Sequence, residues 1–72
     1  MFSIRDEIAK RNARNDEYTN DEIVIVASFQ REIETTRNAN YNALRQTLID
    51  ARKHMIAIDI DTMRKTYKRY AS

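Results

Sequence analysis

The chain has 72 residues, of which 42% are hydrophobic and 33% are charged, and its formal net charge at pH 7 is +2. It has no cysteine, which excludes disulfides and thiolate metal sites, and no glycine or proline, whose absence disfavours all-β folds and phosphate-binding loops. A folded chain of this size buries only about 60% of the surface that it exposes when unfolded, so we expect a thin core stabilised by association with another chain.

These absences favour an all-α fold, in which the first predicted helix covers residues 4–15. Ser3 can cap this helix, and Asp6, three residues later, can complete a capping box. The apolar stripe of the helix is narrow and consists of Ile4, Ile8 and Ala9. Because isolated short helices are marginal in water, this helix should need a neighbour.

The second predicted helix covers residues 20–37 and has the clearest start signal in the chain. Thr19 and Glu22 have the spacing of a capping box, and Tyr18 and Ile23 occupy the two positions of a hydrophobic staple. The core-facing residues, at spacings of three and four, are Val26, Phe29, Ile33 and Thr36. Three asparagines among residues 38–42 predict a tight turn after the helix.

The third predicted helix is long, covers residues 41–70 and would measure about 45 Å at 1.5 Å per residue. Its apolar residues recur at spacings of three and four, as Tyr41, Leu44, Leu48, Ala51, Met55 and Ile58, beside a second line of Ile49, Ile56, Ile60, Met63, Tyr67 and Tyr70. This wide stripe exceeds what one short helix can cover. We therefore predict an antiparallel hairpin of helices 2 and 3 that self-associates through their stripes into a homo-oligomer.

Two other folds fit parts of the pattern. A single coiled-coil helix over residues 20–70 would result if the asparagines do not form a turn. An α+β chain is the other alternative, because the β-branched run of residues 23–26 and the alternation of Ile56, Ile58 and Ile60 both suit strands.

The sequence contains little catalytic chemistry. His54 is the single histidine, and Asp50, four residues earlier, could join it as a metal ligand, but two ligands do not make a zinc-type site. Asp59 and Asp61 do not face each other in a helix, so they suit an acid pair poorly. We therefore predict no enzyme activity, no cofactor and no metal site.

The C-terminal end is the best candidate for a binding surface. Residues 51–72 hold six basic and two acidic side chains. The predicted binding residues are Ile60, Met63, Arg64, Lys65, Tyr67, Lys68, Arg69 and Tyr70. Interleaved cations and rings can bind phosphates and unpaired bases, which makes nucleic acid an alternative partner. The same residues also suit a helix end favoured by its dipole, with the tyrosines continuing an apolar stripe.

These features predict a small protein-binding modulator or inhibitor that occupies a partner's surface, and not a catalyst. A nucleic-acid-binding protein and a structural coiled coil are the alternatives. The size and type of the chain suggest a phage or mobile-element accessory protein. The longest apolar run, residues 23–27, is far shorter than a membrane span, and no signal-peptide core is present, so the expected location is the cytoplasm, without membrane contact.

Overall fold

The computed structural model describes residues 2–14, 17–53 and 58–72. Over these residues the protein is all-helical and contains no strand, which confirms the predicted class. The four helices are α1 (Ile4–Asn12), α2 (Asn20–Glu34), α3 (Tyr41–Lys53) and α4 (Ile60–Ala71). The α+β alternative is not supported, because the β-branched residues 23–26 lie inside α2.

The first two helices start at their predicted caps, with the full capping box at α2 and only the Ser3 half of the predicted box at α1. The Thr19 hydroxyl accepts a hydrogen bond from the Glu22 backbone N–H at 3.2 Å, and the Glu22 carboxylate accepts one from the Thr19 N–H at 2.8 Å. This reciprocal pair is the predicted capping box. Ser3 caps α1 by accepting from the Asp6 N–H at 3.4 Å. The helix ends earlier than predicted, at Asn12.

The turn after α2 is also confirmed, although α2 ends at Glu34 and not at residue 37. Thr35 is its C-cap in a right-handed conformation, with φ of −79°. Asn40 acts on the following helix, because its side-chain oxygen accepts a hydrogen bond from the Ala43 N–H at 3.0 Å. An asparagine in this turn therefore serves as a cap for the start of α3.

The predicted long helix over residues 41–70 is wrong. Asp59 has extended backbone angles, with φ of −129° and ψ of 162°, and its side chain caps a separate helix that begins at Ile60. The longest dimension of the molecule is 34 Å, shorter than the roughly 45 Å of a 30-residue helix. The single coiled-coil helix over residues 20–70 is wrong for the same reason. The part of the prediction that concerns Met55 lies outside the described residues.

The helices also pack differently from the predicted hairpin of helices 2 and 3. The most extensive contact joins α3 and α4, while α2 packs mainly against α1 and α4. All four helices contribute to one hydrophobic core, whose buried residues are Ile4, Ile8, Tyr18, Val26, Phe29, Ile33, Leu44, Leu48 and Met63. Apolar residues of the predicted stripes on α2, α3 and α4 thus pack together within one chain, while self-association stays a prediction.

Candidate binding surface on the last helix

The start of α4 is fixed by Asp59. Its carboxylate accepts hydrogen bonds from the Thr62 N–H at 2.8 Å and from the Thr62 hydroxyl at 2.9 Å. These bonds stabilise the ionised form and lower the pKa of Asp59 below its ordinary value of 3.8, with the Thr62 N–H making the largest contribution. A charged cap at this end also suits the helix dipole.

The apolar side of α4 faces the core. Met63 is 1% exposed, and Ile60 packs against the core cluster. The Tyr67 ring lies edge-on to Phe29 with centroids 5.9 Å apart, and the Tyr67 hydroxyl accepts a hydrogen bond from the Asn40 N–H at 2.8 Å. Of the predicted binding residues, Met63 is buried and Ile60 and Tyr67 are partly buried against the core, so Met63 is not accessible to a partner in this structure.

The outward side of α4 carries all four cations of the predicted site: Arg64, Lys65, Lys68 and Arg69. Arg64 binds both carboxylate oxygens of Glu32 on α2, at 3.0 and 3.2 Å, and also contacts Asp61 at 3.1 Å. The hydrogen bond to Glu32 is the main reason why the pKa of Arg64 is raised. Arg64 therefore joins α4 to α2, and its charge is balanced by two acids.

Arg69 and Tyr70 converge on one carboxylate of α3. Asp50 is nearly buried and accepts hydrogen bonds from the Tyr70 hydroxyl at 3.0 Å and from the Arg69 guanidinium at 3.3 Å. The guanidinium also lies 5.3 Å from the centre of the Tyr70 ring. Tyr70 remains 38% exposed, so part of its ring is accessible. This cluster joins α3 to α4 at the edge of the cationic side.

Lys65 and Lys68 differ from the two arginines. Both are exposed, and neither forms an ion pair with a described residue. Lys65 does contribute weakly, by its charge, to the lowered pKa of Asp59. The two lysines are the cations on this helix that remain available to a partner without breaking a contact within the chain.

The interleaving of cations and tyrosines in residues 64–70 therefore reflects the helical period. The cations point outward, Tyr67 points inward, and Tyr70 lies at the boundary. The acids that balance the arginines, Glu32 and Asp50, come from other helices and were not among the predicted binding residues. Because these acids lie far along the chain from the arginines, no local sequence pattern indicates that they form pairs.

A metal site is not supported by the part of the chain that the structure describes. No group of three or more His, Asp or Glu side chains is placed there to hold a metal ion. Asp50, considered as a metal ligand, instead binds Arg69 and Tyr70, and His54 lies outside the described residues. In the same described ranges, no helix combines the length and apolar character needed to cross a membrane.

Comparisons with protein-family models, with curated proteins and with solved structures gave no match for this chain.

Proposed function

We propose that the protein is a small, non-enzymatic modulator that binds an acidic surface of another protein through the outward side of α4. The contact residues are Lys65 and Lys68 at the centre, Arg69 and the accessible part of Tyr70 at one edge, and Arg64 at the other. One observation carries the proposal: two exposed lysines without ion-pair partners among the described residues stand between two arginines that neighbouring helices hold in place.

The contacts of the arginines favour a protein partner. Arg64 and Arg69 are held by carboxylates, so each presents an oriented guanidinium that can share a further acid, as arginine does at protein interfaces. The rim is charged, and the Tyr70 ring supplies apolar contact area at its edge. Such a surface fits a partner with a few acidic side chains around a small apolar contact.

Charge reversal of the two lysines tests this proposal. We expect Lys65→Glu with Lys68→Glu to abolish capture of specific proteins from a nuclease-treated lysate of the source cell. The matched control is Lys10→Glu with Lys53→Glu, which makes the same change of net charge at exposed positions on α1 and α3. Proteins retained by the wild type and the control, but lost from the α4 variant, would support the proposal. Equal capture by all three proteins would contradict it.

Nucleic acid is a second candidate partner, because four cations share one side of α4. The tyrosines offer little stacking surface, because Tyr67 is packed against Phe29 and only part of the Tyr70 ring is exposed. Two available lysines would also neutralise fewer phosphates than the four cations that the sequence suggests.

The salt dependence of oligonucleotide binding separates these cases. For a labelled single strand, the slope of log affinity against log salt is about −0.7 per phosphate neutralised. Binding through all four cations would give a slope of about −3, and binding through the lysines alone about −1.4. If the proposal is right, the Lys65→Glu, Lys68→Glu variant should bind the oligonucleotide no more weakly than the wild type does. A steep slope removed by that variant would replace the protein partner with nucleic acid.

A further inference from the structure

The exposed side of α2 carries a line of four residues, here called the α2 stripe, at spacings of three, four and three: Asp21, Val24, Ser28 and Arg31. At the helical period these residues lie above one another, on the side of α2 opposite the buried Val26. Val24 is 61% exposed, the most of any large hydrophobic side chain among the described residues. The stripe therefore has one exposed apolar side chain and one serine at its centre and a charge at each end.

Both end charges are available. Neither Asp21 nor Arg31 forms an ion pair with a described residue.

Beside the stripe lies a groove of about 340 Å³ between α2 and the start of α1, lined in part by Ser3, Arg5 and Ala27. The small side chains of Ala27 and Ser28 leave room for another helix to approach the α2 backbone closely.

The order of these residues makes the stripe complementary to itself. If a second copy of α2 lies antiparallel, with the pair centred at the level of Val26, Asp21 of each copy stands opposite Arg31 of the other. In the same alignment, Val24 of each copy stands opposite Ser28 of the other. A twofold axis repeats each contact, so one alignment gives two ion pairs around two contacts between Val24 and Ser28.

We propose that two copies of this chain associate through the α2 stripe as an antiparallel, twofold-symmetric helix pair. The occupant follows from charge complementarity: the acid at the start of the stripe and the base at its end match a reversed copy of the same stripe. A contact between single helices buries less than a standard interface, so the dimer is weak and forms in the micromolar to millimolar range. This proposal uses α2 and does not depend on the binding surface assigned to α4.

Charge reversal at one end of the stripe should prevent self-association. In Asp21→Arg, two arginines oppose each other at both ends of the pair, and in Arg31→Asp, two aspartates do so. We expect sedimentation equilibrium to show a concentration-dependent dimer for the wild type and a monomer for each variant. The control Lys10→Asp changes the charge at an exposed position of α1 and should dimerise like the wild type.

Mixing the two variants provides the decisive measurement. In a pair of one Asp21→Arg chain and one Arg31→Asp chain, both ends again hold opposite charges, so the mixture should form a heterodimer. The double variant Asp21→Arg, Arg31→Asp should regain the homodimer, and circular dichroism checks that each variant keeps its helices. A wild type that stays monomeric up to millimolar concentration would overturn the proposal, as would folded variants that show no rescue when mixed.

Discussion

Asp59 shows how one side chain determines where a helix begins. The apolar spacing from Tyr41 to Ile58 favours an uninterrupted helix, and the second apolar line extends this predicted helix to residue 70. Aspartate is among the strongest N-cap residues, and Thr62 three residues later offers both an N–H and a hydroxyl to it. The cap signal was therefore present in the sequence, but the periodic stripe continues through it and hides the boundary.

Acid should weaken this cap. The pKa of Asp59 is lowered in the folded protein, so its contribution to stability is present above the ordinary value of 3.8 and is lost as the pH falls through the lowered pKa. Asp59→Asn keeps an accepting oxygen but does not titrate. We therefore expect this variant to lose less helical content than the wild type when the pH falls from neutral to below the lowered pKa of Asp59. Circular dichroism during acid titration measures this. Identical acid profiles for both proteins would contradict the role of the carboxylate.

At the level of helices, local sequence signals predicted the starts of α1, α2 and α3, but they did not predict the contacts between helices. The box of Thr19 and Glu22 lies within four consecutive residues, so its two hydrogen bonds could be read from spacing alone. The bonds that fix α4 involve Glu32 and Asp50, which lie 32 and 19 positions before their arginine partners. Sequence periodicity gives which side of a helix is apolar, but not which neighbour covers it.

The contact of Asp50 with Tyr70 is a test of the α3 and α4 pair. Removing the donor with Tyr70→Phe should lower the free energy of unfolding by about 1 kcal/mol, the usual net value of one hydrogen bond. The control is Tyr41→Phe, which makes the same chemical change at a hydroxyl that forms no hydrogen bond with a described residue. Urea denaturation measures both. Equal stability of Tyr70→Phe and the wild type would show that this bond does not hold the helices together.

At the level of the whole molecule, the division of the predicted long helix explains how a thin core is covered. As a single helix, residues 41–70 would leave their wide stripe in need of a second copy. As two helices, α4 lies against α3 and α2, and Met63 and Tyr67 cover Phe29 and its neighbours from within the same chain. The apolar residues identified from the sequence are largely those of the core, and α4 covers part of that core within the chain.

Truncation of buried side chains distinguishes this arrangement from an exposed apolar patch on α4. Leu48 and Met63 are 0% and 1% exposed. Replacing either by alanine should lower the free energy of unfolding by about 2–5 kcal/mol, because the lost transfer energy adds to the cost of a cavity. The control Val24→Ala removes exposed methyl groups and should change the monomer's stability by no more than about 0.5 kcal/mol. Urea denaturation at low protein concentration keeps self-association out of the comparison. If Met63→Ala proved as mild as Val24→Ala, the Met63 side chain would lie at the surface, and α4 would present its apolar side to a partner.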